Sequence, residues 1–159
     1  LIFGDQSTVE RYAANPGVQV HGPGWSKVVI GDDWADRWPE FVDVLATSVA
    51  ANGGRSCINA SAIVTPRHGR EIADALARRL AEIRPRAADD PEAVLSGFAN
   101  PKMAEWMDGA IEEGLRTPGA ENVSAPHQPD GRKVSRDGST YLLPTVIRCD
   151  SFSHPLANK

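Results

Sequence analysis

The segment Asn52-Gly53-Gly54-Arg55-Ser56-Cys57 constrains this chain more than any other stretch. Its two glycines let the backbone turn tightly and come close to a bound molecule. A mostly apolar, β-favouring run, Ile58 to Val64, follows at once and predicts a buried strand. We therefore expect Cys57 at a junction of loop and strand, where a rigid scaffold often holds functional residues.

Two interpretations of Cys57 are open from the residues alone. Arg55 lies two positions away, and a nearby cation favours the reactive thiolate form of a thiol. The alternative, which composition favours, is a buried cysteine that only fills space. The second cysteine, Cys149, lies beside Asp150 and is predicted to be a structural or surface thiol. Because the two cysteines lack CxxC spacing, neither a disulfide framework nor a metal site is predicted.

Helical periodicity predicts three amphipathic helices. They run from about Trp34 to Ala51, from Arg70 to about Arg84, and from Asn100 to near Gly119. The apolar stripes that we expect them to bury are Trp34, Trp38, Phe41, Val42, Leu45 and Val49 in the first, Ile72, Leu76, Leu80 and Ile83 in the second, and Met103, Trp106, Met107, Ala110, Ile111 and Leu115 in the third. His68, just before the second helix, is expected to be a loop or capping residue.

Short strands are predicted between these helices. The pair Asp137-Gly138 predicts a hairpin turn, with a return strand from Thr140 to Arg148. Strand, loop and covering helix in succession form the unit of a parallel α/β sheet. We expect a three-layer α/β fold whose parallel sheet has a mixed edge and helices on both faces.

Composition excludes several classes of function. The 159 residues, 41% of them apolar and 24% charged, suffice for one ordinary domain. A formal net charge of -4 gives no basic footprint for nucleic acid or an anionic membrane. With no apolar run near the roughly 20 residues of a membrane span and no leader pattern, we expect a cytoplasmic protein with no nucleic-acid or membrane partner. The chain begins at Leu1 without methionine, and we expect it to be a piece of a longer protein.

The segment around Cys57 resembles the active-site segment of the aldehyde dehydrogenase superfamily, commonly Phe-Phe-Asn-Gln-Gly-Gln-x-Cys. Asn52, Gly54 and Cys57 match position for position, whereas Arg55 replaces the usual glutamine. The resemblance implies that Cys57 is the catalytic nucleophile and that Asn52, Gly54 and Arg55 form the active-site loop. Further along, Leu143-Pro144-Thr145-Val146-Ile147 resembles the family's Glu-Pro-Thr-Val-Leu segment, in the same order along the chain.

Two earlier segments extend the resemblance. In the family's Phe-x-Gly-Ser turn, Gly4 and Asp5 take the places of the glycine and serine beside the cofactor, although Asp5 suits a helix N-cap equally well. In the family's Glu-Leu-Gly-Gly-Lys-Ser segment, Gly24 and Ser26 match and His21 takes the place of the general-base glutamate. His21 is either that base, since imidazole exchanges protons near neutral pH, or a structural hydrogen-bonding residue.

The resemblance implies an enzyme fragment with a catalytic-domain-like fold. Residues 1-20 would be a remnant of an NAD(P)-binding domain and 21-159 a catalytic domain truncated at its C-terminal end. The activity implied is NAD(P)-dependent oxidation of an aldehyde to a carboxylic acid through a cysteine thioester, an oxidation that we expect the fragment alone not to carry out. NAD or NADP would be bound mainly by segments outside this chain, and the parent would be a homo-oligomer. The alternatives are a coenzyme-A-linked acyl-CoA reductase, acting on an acyl thioester, and a non-catalytic domain.

Overall fold

Two parallel strand pairs form the N-terminal part of the chain, in a computed structural model that describes residues 1–158. They are β1 (Ile2–Phe3) with β2 (Val20–His21), joined through helix α1 (Gln6–Tyr12), and β3 (Lys27–Val29) with β4 (Ala62–Val64). The long connection between β3 and β4 contains a helix, so this pair has the strand-helix-strand arrangement expected of parallel strands.

Three longer helices follow the predicted pattern with shifted boundaries. They are α2 (Val42–Ala50), α3 (Gly69–Leu80) and α4 (Pro101–Leu115). The first prediction was wrong at its start, because residues Ala35–Phe41 form a 3-10 helix ahead of α2. Pro39 lies inside that turn and has no N–H to donate to a regular α-helical bond, which accounts for the tighter geometry there.

Antiparallel pairs form the C-terminal part of the chain. The strands are β5 (Ala120–Asn122), β6 (Lys133–Arg136), β7 (Ser139–Leu142) and β8 (Ile147–Cys149), and β5 pairs with β8 while β6 pairs with β7. The hairpin predicted at Asp137-Gly138 is present, with both residues at positive φ as a two-residue turn requires. The single return strand was wrong, because Pro144 has no N–H for a strand ladder and divides it into β7 and β8.

The α/β class is confirmed, and its sheets are small. Within residues 1–158 the strands form four two-stranded sheets, two parallel and two antiparallel, rather than one continuous sheet. The core lies where α2 and α3 pack on the β3–β4 pair. Its buried side chains are Leu45, Ala46, Ile72, Leu76 and Leu80, with Val28, Ile63 and Val146 packed against them.

The apolar face predicted for α4 is in part wrong. Trp106 is 68% exposed, and Met103 and Met107 are also exposed to solvent. The helix instead buries Ala104 and Gly114. On another side of α4, the buried Arg132 pairs with Asp108 and Glu112 at 3.0 and 2.6 Å. A charged residue just before β6 therefore packs on this helix, and helical periodicity cannot reveal such a partner.

A cleft of about 490 Å³ separates β4 from β8, with α3 lining it. The Val64 carbonyl faces β3, so strand alternation turns the backbone groups of Ile63 toward the other edge of β4. On β8 the Asp150 N–H donates to Gly119 beside β5, which turns the backbone groups of Cys149 away from β5. Neither outer edge has a strand partner in the described part of the chain.

Candidate active-site turn around Cys57

The chain reverses direction between α2 and Cys57 through three left-handed residues in succession. Asn52, Gly53 and Gly54 have φ of 54°, 67° and 72°. Glycine adopts this region without steric cost, and asparagine tolerates it better than most residues do. A Cβ at Gly53 would lie 3.2 Å from the Val94 carbonyl oxygen, so the turn also packs closely against a second segment.

Asn59 fastens the next turn to the end of α2, and sequence reasoning missed it. The Asn59 N–H donates to the Ser56 carbonyl at 3.0 Å, which closes a turn with Cys57 inside it. The buried side chain accepts from the Ser56 N–H at 2.7 Å and donates to the Ser48 and Ala51 carbonyls at 3.2 and 2.9 Å. Asparagine is common in turns because its side-chain amide can take the place of a backbone hydrogen-bonding partner. This preference is the sequence signal from which a turn role for Asn59 could have been predicted.

Cys57 itself is exposed, which excludes the buried, space-filling interpretation. The predicted strand from Ile58 was wrong, because β4 begins only at Ala62 and the Ile58 side chain is 75% exposed. Cys57 thus lies within a surface turn, several residues before the strand. Its backbone N–H has no hydrogen-bond partner among residues 1–158.

The loop between β2 and β3 comes into direct contact with the Cys57 backbone. A Cβ at Gly24 would overlap the Cys57 carbonyl group, so only glycine fits there without a shift. The Ser26 hydroxyl donates to the Cys57 carbonyl at 3.3 Å. The structure therefore brings together Gly24, Ser26 and Cys57, which the sequence placed in two separate motifs.

His21 begins the same loop, on β2. Its ring stacks on Phe3 of β1, with ring centroids 5.0 Å apart, and its carbonyl accepts from the Gly4 N–H at 3.0 Å. No hydrogen bond joins the His21 imidazole to the Cys57 thiol in the described residues. A catalytic role for His21 stays a prediction.

Arg55 is fixed by the segment 96–98. Its guanidinium donates to the Ser96 and Gly97 carbonyls at 2.7 and 3.1 Å and lies over the Phe98 ring, 4.2 Å from the ring centroid. Sequence reasoning considered Arg55 only as a cation beside the thiol. These contacts, to residues about forty positions away, were not accessible from the sequence.

Gly4 and Asp5 begin α1, and Asp5 is its N-cap. The Asp5 carboxylate accepts from the Ser7 hydroxyl at 2.7 Å, and from the Thr8 N–H at 2.9 Å; these bonds lower its pKa. A carboxylate there repels a phosphate and occupies an N–H that a phosphate would use. The turn therefore does not fit a cofactor phosphate as it stands, and cofactor binding by Gly4 and Asp5 stays a prediction.

Cys149 lies in a different setting, at the end of β8. Its sulfur is 3.7 Å from Nδ1 of His154, a residue only 6% exposed. Because Nδ1 accepts from the Leu156 N–H, the ring proton is on Nε2, which donates to the Thr117 carbonyl at 3.2 Å. Burial, and then the charge of Asp150, raise the pKa of the Cys149 thiol.

The remaining features that bear on function in residues 1–158 are the cleft, possible metal ligands, possible membrane helices and His68. Cys57 does not line the large cleft between β4 and β8, whereas Cys149 does. Within residues 1–158, the His, Cys, Asp and Glu side chains form no group of three or more suited to a metal ion. None of the helices there has the length and apolar content that a membrane crossing requires. His68 occupies the N-cap position before α3 with φ of 61°, and its ring contacts Asp36 at 2.8 Å rather than the helix backbone.

Comparison with solved structures gives the architecture a precedent. The chain superposes on an aldehyde dehydrogenase of Bacillus cereus in complex with NAD+, with a TM-score of 0.76 and 21% identity over 99% of this chain. This chain has the fold of part of an aldehyde dehydrogenase. It spans 31% of the length of that protein. No protein-family profile matches the chain, and no curated protein sequence does.

Two further aldehyde dehydrogenase structures match equally broadly. Aldehyde dehydrogenase C of Pseudomonas syringae, a variant in complex with NAD+ and octanal, has a TM-score of 0.76 and 22% identity, with 99% of this chain and 33% of that chain covered. Succinate-semialdehyde dehydrogenase of Burkholderia pseudomallei has a TM-score of 0.73 and 21% identity, with 99% and 32% covered. The chain therefore spans about a third of the length of each of these three proteins.

Proposed function

We propose that Cys57 is the nucleophile of an aldehyde dehydrogenase-like enzyme and that this chain is its cysteine-bearing part. The Cys57 thiolate adds to the carbonyl carbon of an aldehyde, forming a carbon–sulfur bond and an oxyanion on the former carbonyl oxygen. NAD or NADP, which other parts of a longer protein would mainly hold, would supply the acceptor for the hydride that the adduct must lose to become a thioester. Water then cleaves the thioester to a carboxylic acid and returns the thiol.

The geometry of the Cys57 turn is the observation that carries this proposal. The thiol is exposed, and its own backbone N–H has no partner in the part of the chain described. An N–H of the attacking residue lies close to the oxyanion that forms, and donors fixed in place before the reaction stabilise such charge strongly. The three left-handed residues and Asn59 hold this N–H in place before any substrate arrives.

In this scheme the boundary between two domains falls within β2, between Val20 and His21. Residues 1–20, with the Gly4 and Asp5 turn, belong to a cofactor-binding domain in this scheme, and residues 21–159 belong to the catalytic domain. His21 takes the position of the general base, and Asn52, Gly54 and Arg55 form the active-site loop. The parent enzyme in this scheme is a homo-oligomer that acts on a small-molecule aldehyde.

A specific observation favours a second candidate, in which coenzyme A receives the acyl group. A base that activates water against a thioester is commonly a carboxylate, but His21 stands in that position and stacks on Phe3. Among residues 1–158, no carboxylate forms a hydrogen bond with the Cys57 thiol. An enzyme that passes the acyl group to a thiol does not need to activate water.

An acylation experiment on the isolated chain tests the shared chemistry without a cofactor. With p-nitrophenyl acetate, Cys57 sulfur would take the acetyl group and p-nitrophenolate would leave, in a burst of about one equivalent per chain. The burst should persist in Cys149→Ser and disappear in Cys57→Ala. Absence of acylation in the unmodified chain would contradict both candidates and leave a non-catalytic domain.

The fate of the acetylated chain separates the two candidates. After removal of excess ester, release of acetate in buffer alone supports the aldehyde dehydrogenase. Release only after addition of coenzyme A, with acetyl-coenzyme A as product, supports the second candidate.

A further inference from the structure

We propose that Arg55 is a positioning residue for Cys57, tying the Cys57 turn to the β6–β7 hairpin through the segment 96–98, here called the strap. This inference deepens the proposed function, and its catalytic meaning rests on that function. The family's usual residue at this position is a glutamine, so the role is a feature of this chain's own arginine.

The strap is itself attached to β7. The Phe98 N–H donates to the Thr140 carbonyl at 2.8 Å, and the two residues form an isolated antiparallel bridge. A Cβ at Gly97 would lie 3.1 Å from the Ser139 side chain, so the strap runs close against the strand. The strap therefore has the fixed position of the hairpin.

Arg55 joins the Cys57 turn to this strap by contacts that only an arginine makes together. Two guanidinium nitrogens reach two successive carbonyls, those of Ser96 and Gly97, while the planar group lies over the Phe98 ring. A planar fork that both donates twice and stacks is specific to arginine, and lysine offers a single point charge. Arg55 lies two residues from Cys57, so holding it limits where the sulfur and the Cys57 N–H point.

The same contacts argue against a purely electrostatic role for Arg55. A cation that serves to favour a thiolate must direct its charge toward the sulfur. Here the guanidinium is directed at the carbonyls and the ring of the strap. A charge role and a positioning role predict different behaviour for lysine, which keeps the charge and loses the fork.

The test compares Arg55→Lys and Arg55→Gln in the full chain carrying Cys149→Ser. For each, the rate of acylation by p-nitrophenyl acetate is measured against pH, together with alkylation by iodoacetamide and the melting temperature. Positioning predicts that both variants lower the acylation rate at the alkaline plateau by about tenfold, because misplacement of the oxyanion donor slows attack on a carbonyl. Alkylation, which forms no oxyanion, should stay within about twofold, and the apparent pKa of the pH profile should not move.

Two controls accompany these variants. Arg116→Gln removes an exposed arginine whose side chain pairs with Glu113 on the surface, and it should leave both rates unchanged. Phe98→Leu removes the ring under the guanidinium and leaves the carbonyls, so it should lower acylation in the same direction by less than either Arg55 variant.

Three results would overturn the inference. In the first, Arg55→Lys behaves as the unmodified chain while Arg55→Gln shifts the pH profile, which is a charge role. In the second, neither variant alters acylation. In the third, the melting temperature falls while both rates stay the same, which is a structural role only.

A chain that is not acylated at all would contradict the proposed function rather than the attachment of Arg55 to the strap, here called the Arg55 tether. In that case the Arg55 tether is tested by measuring the rate of amide hydrogen exchange at residues 52–57 and 96–98. Both Arg55 variants should accelerate exchange in the two segments together by about tenfold, with residues of α3 unchanged. Unchanged exchange there would overturn the tether.

Discussion

The two thiols of this chain lie in opposite surroundings. Cys57 is exposed in a turn that is fixed by left-handed residues, the Asn59 amide and the Arg55 tether. Cys149 is partly buried at the end of a strand, beside the buried His154 and with a raised pKa. The comparison teaches that a histidine beside a cysteine does not by itself favour the thiolate, because burial and the charge of Asp150 raise the pKa of Cys149. We therefore expect access to the sulfur and a fixed backbone N–H to decide which thiol reacts faster.

The largest expected effect is the difference in reactivity between the two thiols. At neutral pH, iodoacetamide should alkylate Cys57 about a hundredfold faster than Cys149, because burial both blocks Cys149 and keeps it protonated. Mass spectrometry of Cys57→Ala and Cys149→Ser gives each rate alone. Equal rates, or faster labelling of Cys149, would remove the basis of the comparison.

The next effect concerns the close contact of Gly24, in the loop between β2 and β3, with the backbone of Cys57. Gly24→Ala should lower the free energy of unfolding by about 3 kcal/mol, since the added methyl group overlaps the Cys57 backbone. Urea denaturation measures it, and Gly109→Ala is the matched control, because a Cβ at Gly109 meets open space within α4. The control should stabilise the chain by about 0.5–1 kcal/mol. A neutral Gly24→Ala would show that the turn does not depend on this approach.

A smaller effect is expected from the Asn59 anchor. Asn59→Ala should cost about 2 kcal/mol, because it leaves the Ser56 N–H and the end of α2 without their partners in a buried place. Asn15→Ala serves as the control, since the side chain of the exposed Asn15 accepts from the Gly17 N–H within the same turn. If both variants unfold at the same urea concentration, the turn is held by other contacts.

The smallest effect is the pH dependence that Cys149 adds to stability. Its pKa is raised in the folded state, so the fold favours the neutral thiol. This contribution is complete below the unfolded value of about 8.5 and is lost as pH rises through the folded value. Cys149→Ser should therefore flatten the fall in melting temperature above about pH 8.5 by a degree or so, as fluorescence melts would show. An unchanged slope would contradict the assigned burial effect.

Much of the scaffold follows from local patterns. The α3 stripe of Ile72, Leu76 and Leu80 is regular and buried, and the Asp137-Gly138 hairpin requires only the conformations of its two turn residues. The apolar face predicted for α4 was in part wrong, and Asp108 of this helix pairs with the buried Arg132, a charged residue distant in sequence. Helical periodicity reports the apolar positions of one helix and gives no information about a charged residue from another segment that packs against it.

The candidate site, like the scaffold, was predicted from the sequence only in part. Cys57 and the glycines before it were found from the motif and the turn chemistry. The sequence did not reveal Asn59, the strap, or the contact of Gly24 with Cys57, because each of these contacts is made to a backbone group, which every residue has. Contacts to backbone groups leave no mark in the identity of the residue contacted, so only the folded chain reveals them.

The facing edges of β4 and β8 have a practical consequence for anyone who handles this polypeptide alone. Each edge presents backbone N–H and carbonyl groups with which a strand of another molecule can pair, and apolar side chains line the cleft between the two edges. We therefore expect the polypeptide to self-associate at high concentration. A lysine introduced at such an edge should reduce this self-association.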